Sequence, residues 1–359
     1  MKIRTITSLQ EFDGLAGVWR LLVEASGQTS PLLSHDWFAA CWRTAGPNRL
    51  RELWIIEDSA GPLALIPLVR TDARYRGLPL RVVELMHPAL VPLVDFPILR
   101  DVDDVMAAFV EALHRRGDWE VFLMRGLSAS SHTWKAFQAA AGDSLRWRIA
   151  QRTEVPCISL ADPAFRRAVG ALRQGLLNGG AYAIEEHRRL DGRSPLFEEV
   201  SSLIANGVPT SLHTMGRTAP DTAQRFLAEL STRATANDWL SLWVLRVDGT
   251  IAGTEYNIIS DGCVRTIYRD VDDHRPGVRV SDAMTVGVTD GLSSRPALHT
   301  YYRTPGEPKT GPLAAASGDE MLVVETFADT RYAALLRKVE TRIVPFAHRL
   351  SGRRDGTCG

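Results

Sequence analysis

The most informative part of this chain lies between residues 239 and 312, where predicted strands lead into a turn and a helix. The dipeptides Asp248-Gly249 and Asp261-Gly262 separate the strands. Both favour type I′ hairpin turns, because Asp and Gly tolerate the positive φ that these turns need. The order predicts an antiparallel meander that feeds an anion-binding turn beside a splayed sheet. The predicted elements are strands over residues 240–247, 250–259 and 263–270, a helix over 281–293 and a strand over 298–303.

The size of the chain predicts two domains. It has 359 residues, and 45% of them are hydrophobic, which is enough for a full core. We place the domains at residues 1–150 and 151–350, followed by a flexible tail at 351–359. Leu53-Trp54 and Leu242-Trp243 each open a predicted hairpin, as expected for two copies of one α/β unit. Unrelated hairpins share such a pattern too, so the repeat stays a hypothesis.

Charge and composition exclude several classes of protein. Lys and Arg number 42, as do Asp and Glu, so the chain lacks the basic excess of a non-specific nucleic-acid binder, although a local basic face stays open. The four cysteines form no C-x-x-C pair, which argues against a zinc site and indicates reduced thiols. We find no signal-peptide core and no apolar run of about 18 residues. We therefore expect a cytoplasmic protein without a metal or a membrane span.

Familiar catalytic motifs do not occur in the sequence. It lacks a Gly-x-Ser-x-Gly elbow, a Walker loop, a Gly-x-Gly-x-x-Gly after a strand and a His-Glu-x-x-His. Serine hydrolases, P-loop enzymes, dinucleotide enzymes and zincins are therefore not the leading hypotheses.

The best candidate anion site is the turn before the helix at residue 281. A helix start presents unpaired N–H groups and the positive end of the helix dipole. Gly277 lets the backbone approach a phosphate, while Arg275 and Arg279 offer charge-assisted contacts. A Pro-Gly pair before a helix is also compatible with an ordinary turn. The predicted donor-binding residues are Arg275, Gly277, Val278, Arg279, Val280 and Ser281.

Three residues near this turn are candidates for catalysis. Glu255 lies in the middle of a predicted strand, where burial would raise its pKa and make it a general base; a solvent-facing position is the alternative. Tyr302, at the end of the strand after the helix, is placed to protonate a leaving thiolate, unless it only packs beside Tyr301. Lys309 would bind a carboxylate or phosphate, or lie in a solvated loop.

Further residues are candidates for the substrate cleft. His87 and Asp95 lie near predicted strand ends in the first half of the chain, and Tyr268 lies on the third strand of the meander. We expect them to bind substrate. Residues at strand ends also commonly cap loops, so this alternative stays open for His87 and Asp95.

Several motifs together resemble one family. Residues 239–252 carry a Leu-x-Leu-Trp-x-Leu-x-x-Asp-Gly-x-x-Ala string that is similar to the C-terminal half of the FemAB-like branch of the GNAT acyltransferase superfamily, and closest to its CelD-like acetyltransferases. Arg275-Pro276-Gly277 stands where these proteins commonly have Ser-Pro-Gly, and Gly306 and Lys309 match a later motif without its tyrosine. Leu63-Ala-Leu-Ile-Pro-Leu68 and residues 30–37 match the first half, so the resemblance covers residues 5–345.

The resemblance implies a fold and an activity. The fold is α/β (α+β), with tandem GNAT-like domains, each a mixed, largely antiparallel sheet flanked by helices. It implies an N-acyltransferase whose reactive cleft lies chiefly in the second domain. Donor phosphates would lie at the helix after Gly277, and the sheet would splay between the strands at 263–270 and 298–303. The donor would be acyl-CoA, such as acetyl-CoA, used as a co-substrate with no tightly bound cofactor, and the acceptor an amine of a small molecule or peptide.

Two alternatives stay open at this point. One is an aminoacyl-tRNA-dependent transferase of the Fem type, which would need a basic groove. The helix predicted at residues 163–177 keeps only Arg166, Arg167 and Arg173 of the dense basic helix usual in the family, and the usual Trp-Lys is replaced around residues 207–211. The other is a catalytically silent binding module. The sequence leaves the oligomeric state open, a homodimer included.

Overall fold

The computed structural model describes most of the chain and gives one continuous sheet with helices on both faces. The described residues are 1–27, 30–75, 78–87, 95–142, 144–176, 181–207, 220–274, 277–305, 307 and 316–338. Their twelve strands are β1 Lys2–Ile6, β2 Arg49–Asp58, β3 Gly61–Tyr75, β4 Leu78–Leu85, β5 Val121–Ser128, β6 Arg146–Ser159, β7 Tyr182–His187, β8 Leu240–Val247, β9 Thr250–Ser260, β10 Cys263–Val271, β11 Thr300–Tyr302 and β12 Ser317–Phe327.

Helices connect these strands and cover the sheet. Ser34 caps α3 as a hydroxyl acceptor for the Trp37 N–H at 3.1 Å, which satisfies one of the free donors at a helix start. In the described residues the helices are α1 Leu9–Gly14, α2 Ala16–Ala25, α3 His35–Thr44, α4 Val102–Arg116, α5 His132–Ala141, α6 Pro163–Leu176, α7 Pro195–Gly207, α8 Pro220–Ala236, α9 Val280–Ser293 and α10 Arg331–Lys338.

The order of strands across the sheet is β1-β2-β3-β4-β5-β12-β6-β11-β10-β9-β8-β7. Neighbours are antiparallel except for β4 with β5 and β10 with β11, which are parallel. The predicted class, a mixed and largely antiparallel sheet flanked by helices, is confirmed. The strand β12 inserts between β5 and β6, and the predicted boundary after residue 150 falls inside β6. The division into two domains stays a prediction.

The same run of elements occurs twice in the sheet. We name β2, β3, β4, α4 and β5 the first repeat, and β8, β9, β10, α9 and β11 the second repeat. In each, an antiparallel meander is followed by a helix and then by a strand parallel to the third strand of the meander. Trp54 and Trp243 occupy matching positions on β2 and β8, and each donates its indole N–H to the side chain two residues earlier. The repeat expected from the Leu-Trp pairs is therefore a structural one.

The two faces of the second repeat have different covers. Because side chains alternate along a strand, Glu255 and Tyr256 on β9 point to opposite faces. Tyr256 belongs to a core that α1, α2 and α3 share with α7 and α8, and Arg233 of α8 pairs with Asp36 of α3 at 2.6 Å. The other face packs against α6 and α9. The first part of the chain thus contributes directly to the packing of the second repeat.

The hairpin turns form as the sequence predicts. Asp248 and Gly249 have φ values of 51° and 77°, and Asp261 and Gly262 have 48° and 72°. Both pairs therefore adopt the left-handed conformation that type I′ turns need. These turns fix the register of β8, β9 and β10, and the register in turn sets which side chains face α9.

Candidate active site

The strands β10 and β11 separate after a short contact. Their parallel pairing covers three residue pairs, from Cys263 with Thr300 to Arg265 with Tyr302. The strand β10 then continues to Val271, whereas the next residue after β11, Arg303, donates its backbone N–H to the Pro156 carbonyl of β6 at 2.9 Å. The two strands are therefore drawn to different neighbours, and the sheet splays between them as expected.

A β-bulge lies on β10 at the point where the splay opens. The pairing of β10 with β9 shifts between Thr266 and Tyr268, which leaves Ile267 as an extra residue. A bulge bends its strand and leaves one residue out of the ladder, and bulges are common beside active sites. Here the bulge comes just after Arg265, the last residue of β10 that pairs with β11. It therefore bends β10 close to the point where its pairing with β11 ends.

The helix α9 begins at the end of β10, and its start is the predicted anion site. Gly277 has a φ of 79°, and a Cβ atom built on it meets no atom within 4 Å, so the backbone there is open to an approaching ligand. Arg279 is the N-cap residue without a side-chain cap, and its guanidinium pairs with Asp282 at 3.0 Å. Val278 and Val280 are buried in the core, so only their backbone groups are available for binding.

One anionic group already contacts this helix start. The Asp273 carboxylate accepts a hydrogen bond from the Ser281 N–H at 2.8 Å. A carboxylate satisfies a free N–H at a helix start in the same way as a phosphate oxygen does. Asp273 would therefore have to release this N–H for a ligand to take it. Asp273 was not among the residues predicted from the sequence, although a carboxylate a few residues before a helix is a recognisable signal. Arg275 lies outside the described residues.

Glu255 is fully buried and lies at the centre of a hydrogen-bonded cluster. Its Oε1 accepts from the Asn257 amide at 3.0 Å and from the Tyr301 hydroxyl, and its Oε2 accepts from Arg269 and from Arg303, both at 3.1 Å. A carboxylate has about four acceptor positions, so this one is saturated. The solvent-facing alternative for Glu255 is wrong, since none of its side chain is exposed.

The two arginines of this cluster extend it to both sides of the splay. Arg269 lies on β10 and also donates to the Ser281 carbonyl and the Thr285 hydroxyl of α9, each at 3.0 Å. Arg303 follows β11 and makes two hydrogen bonds to the Glu307 carboxylate. One carboxylate, that of Glu255, therefore connects β10, β11 and the start of α9.

The charges of the cluster balance. Glu255 and Glu307 carry two negative charges, and Arg269 and Arg303 carry two positive ones. Burial disfavours the charge on Glu307, but Arg303 outweighs this effect and lowers its pKa. Burial, and then the proximity of Arg303, lower the pKa of Arg269. Burial raises the pKa of the Tyr301 hydroxyl, which therefore stays protonated and donates to Glu255.

Tyr302 lies at the point where β10 and β11 separate. It is half-buried, and the Arg265 guanidinium lies 5.2 Å from the centre of its ring. Burial, followed by the nearby Cys157, raises the pKa of its hydroxyl. The residue is thus a protonated hydroxyl at neutral pH, and it faces away from the Glu255 cluster, because Tyr301 and Tyr302 alternate along the strand. Lys309, the third predicted catalytic residue, lies outside the described residues.

The predicted substrate-binding residues do not come together. Tyr268 is buried on β10, and burial followed by Asp270 raises the pKa of its hydroxyl. His87 follows β4, and Asp95 accepts hydrogen bonds from the Phe96 N–H and the Ser131 hydroxyl at the start of α5, both at 2.8 Å. Five strand spacings separate β4 from β10, or about 24 Å. His87 and Asp95 therefore border the first repeat and not the splay of the second.

The described part of the chain lacks two other kinds of feature, a membrane-spanning helix and a metal-binding cluster. No helix there is long and apolar enough to cross a bilayer. No group of three or more His, Cys, Asp and Glu side chains in those segments is arranged to hold a metal ion.

The part of the chain that contains this site is similar to a known protein family. Residues 163–296 match the family model described as an acetyltransferase (GNAT) domain. The match begins at α6 and includes the splayed strand β10 and the start of α9. These residues, which are less than half of the chain, are therefore similar to GNAT acetyltransferase domains. The match supports an acyltransferase and agrees with the resemblance that the sequence motifs indicated.

Three solved structures are similar to this chain in fold. A tandem GNAT protein from the clavulanic acid biosynthesis pathway is 14% identical and covers 90% of this chain and 98% of its own, with a TM-score of 0.52. FemX is 8% identical, with coverages of 90% and 97% and a TM-score of 0.52. L-PGS from Bacillus licheniformis is 11% identical, with coverages of 90% and 93% and a TM-score of 0.51. At these identities the likeness shows a shared fold alone. No curated protein matches this chain.

Proposed function

We propose that this protein transfers an acyl group from acyl-CoA to an amine of a small molecule or peptide by direct attack. The observation that carries the proposal is the three-residue pairing of β10 with β11, followed by their separation beside the open helix start at Gly277. Such a gap admits a narrow, extended chain, and the helix start beside it favours an anion. An acyl-CoA has both parts, a pantetheine arm and a diphosphate.

The chemistry assigned to this site is a single displacement. The amine nitrogen attacks the thioester carbonyl carbon, the carbon–sulfur bond breaks, and the amine loses one proton. Backbone N–H groups of β10 near the Ile267 bulge would polarise the carbonyl oxygen, as a pre-organised oxyanion site does. The protonated Tyr302 hydroxyl would donate its proton to the departing thiolate.

The sequence proposal that Glu255 is a general base needs revision in this scheme. Its two oxygens already accept four hydrogen bonds, two of them from arginines, and nothing of the side chain is exposed to an incoming amine. A base must reach the proton that it abstracts. We therefore assign the amine proton to water at the splay and give Glu255 a different role below.

The first test is calorimetric titration of the full chain with acetyl-CoA. We expect binding by the wild type and a loss of about tenfold or more in Gly277→Asp, because a carboxylate at the helix start repels the diphosphate. Gly117→Asp is the matched control, since Gly117 also has a positive φ, of 68°, and room for a side chain, but ends α4 in the first repeat. It should bind like the wild type. Absence of binding by the wild type at millimolar acetyl-CoA would refute the proposal.

A Fem-type transfer from aminoacyl-tRNA is the second candidate. The fold shared with FemX is the observation in its favour. The equal numbers of basic and acidic residues count against it, because binding to a phosphate backbone needs many Lys and Arg side chains on one surface. Filter binding of charged tRNA at two salt concentrations separates the two candidates. Affinity that falls steeply with salt would favour tRNA, and absence of binding at low salt would favour acyl-CoA.

A further inference from the structure

The Glu255 cluster has a counterpart in the first repeat that contains no charge. Trp243 pairs with Glu255 across β8 and β9, and Trp54 pairs with Ile66 across β2 and β3. Likewise, Tyr301 occupies the middle of the three parallel pairs in the second repeat, and Phe122 does so in the first. Arg303 and Met124 each lie two residues further on. Glu255, Tyr301 and Arg303 thus correspond to Ile66, Phe122 and Met124.

This correspondence shows that the repeat folds without the charges. Ile66, Phe122 and Met124 are fully buried in one apolar core cluster. Charges in the same positions cost desolvation, and replacing a buried ion pair by well-packed apolar residues is often neutral or stabilising. A requirement of the fold therefore does not explain why the second repeat has a saturated carboxylate and two buried arginines there.

The contacts of the cluster indicate what it does. Arg269 on β10 and Arg303 after β11 donate to the same oxygen of Glu255, so the carboxylate sets the distance between the two strands where they separate. Through Arg269, the cluster also holds the Ser281 carbonyl and the Thr285 hydroxyl in the first turns of α9. A donor with a pantetheine arm and a diphosphate would need the gap between β10 and β11 and the start of α9 at a fixed distance from each other.

We propose that Glu255, Arg269 and Arg303 are positioning residues, which hold the gap between β10 and β11 at a fixed spacing from the start of α9 so that one acyl-CoA molecule can engage both. This inference rests on the proposed function. The donor's nucleotide end needs only the helix start, whereas the complete donor needs the helix start and the gap together. The cluster therefore contributes to the binding of CoA but not to the binding of its nucleotide half.

The direct test transfers the residues of the first repeat into the second. The triple variant Glu255→Ile, Tyr301→Phe, Arg303→Met removes one negative and one positive charge, so the net charge of the cluster stays zero, and Arg269 keeps its partners on α9. Titrations use two probes, CoA and 3′-phospho-ADP, its nucleotide half without the pantetheine arm. We expect CoA affinity to fall about tenfold or more, because small misplacements of a binding group have effects of this size, while 3′-phospho-ADP affinity changes less than about twofold.

A control and a second variant keep the test decisive. The double variant Arg81→Gln, Glu120→Gln removes an ion pair with a buried carboxylate from the first repeat and should leave both affinities unchanged. If the triple variant does not fold, Glu255→Gln alone should give the same split between the probes with a smaller loss of CoA affinity. The melting temperature of each variant is measured in parallel.

The outcomes separate this inference from the proposed function. A wild type that binds CoA, together with a triple variant that binds CoA equally well, would overturn the positioning role and leave the proposed function standing. Equal losses for CoA and 3′-phospho-ADP that follow the melting temperature would assign the cluster to stability alone, which also overturns it. A wild type that binds neither probe would overturn both proposals.

Discussion

The first and second repeats have the same order of elements but fill the space beside their parallel strands differently. In the first repeat, Phe96 and Phe122 pack on either side of Phe109, with ring centres 6.2 and 5.6 Å from it. In the second repeat, the matching space holds the saturated Glu255 carboxylate and its arginines. Aromatic packing fills this space in the first repeat, whereas the charged cluster of the second repeat connects two separating strands.

The starts of α4 and α9 also differ in charge. The first turn of α4 carries Asp103 and Asp104 after Asp101, so three carboxylates surround the helix start. The start of α9 also has carboxylates, but Asp273 accepts the Ser281 N–H, Asp282 pairs with Arg279, and Gly277 has open space around it. An anionic donor is repelled by carboxylates and favoured by the helix dipole. This difference supports the proposal that the donor binds at the second repeat.

The largest effect should come from unbalancing the charged cluster. We expect Arg303→Met to lower the free energy of unfolding by about 3–5 kcal/mol, because it leaves a buried negative charge without its partner. The matching change in the first repeat, Met124→Leu, should cost less than about 1.5 kcal/mol, since it conserves volume in an apolar core. Chemical denaturation of both variants checks this difference. Equal costs at the two positions would break the comparison.

The next largest effect concerns Tyr302, whose counterpart in the first repeat is Leu123. We expect Tyr302→Phe to slow acyl transfer about 100-fold, the loss typical of a general acid, with CoA affinity unchanged. The assay follows CoA release from acetyl-CoA by chromatography in the presence of a panel of primary amines. Tyr332→Phe, remote from the splay on α10, is the control. An unchanged rate in Tyr302→Phe would remove the residue from the mechanism. If the wild type itself shows no acyl transfer, a silent binding module is favoured.

A smaller effect is expected from Asp273, which accepts the Ser281 N–H at the start of α9. Asp273→Asn removes a negative charge that competes with the donor's diphosphate, so CoA should bind about three- to tenfold more tightly. Asp103→Asn makes the same change at the start of α4 and should have no effect on CoA. Calorimetry on the two variants gives the comparison. Weaker binding in Asp273→Asn would show that the carboxylate supports the site instead.

The smallest effects are in the pH dependence of stability. Burial raises the pKa of Asp95 above the usual value of about 3.9. The folded protein therefore loses stability as the pH rises through this raised pKa, because the buried carboxyl must then ionise. We expect Asp95→Asn to stabilise the protein at pH 7 by about 1 kcal/mol, with the gain disappearing below pH 4.

Asp118 supplies the control of opposite sign. Burial opposes its ionisation, but Arg116 and Arg70 outweigh burial and lower its pKa. Its contribution to stability is therefore present above the usual value of about 3.9 and is lost as the pH falls through the lowered pKa. Asp118→Asn should destabilise at pH 7 and not in acid. Thermal melts of both variants at several pH values check the two signs, and the same sign for both would contradict the assigned causes.

The sequence predicted the meander and its turns because their signals are local. Asp248-Gly249 and Asp261-Gly262 specify turn geometry by themselves, and alternation of apolar residues specifies the strands between them. The splay was also expected, both from the order of the elements and from the family resemblance. The insertion of β12 between β5 and β6 was not predicted, because a contact between strands almost 200 residues apart leaves no local pattern.

The candidate site was less predictable than the fold. Glu255 and Tyr302 were singled out by their positions in strands, but a lone sequence does not reveal that four donors saturate Glu255. Arg269 and Arg303 were missed, although Arg269 lies near the end of β10 and Arg303 directly follows β11, the two strands that flank the predicted splay. His87 and Asp95 were grouped with the site because sequence order does not show that several strands intervene.

The most direct measurement is a crystal structure of the full chain with CoA. We predict the diphosphate on the backbone N–H groups at the start of α9, with Asp273 released from Ser281, and the pantetheine arm between β10 and β11. CoA bound beside β4 and β5 in the first repeat would contradict the account. So would β10 and β11 paired along their whole length with no CoA between them.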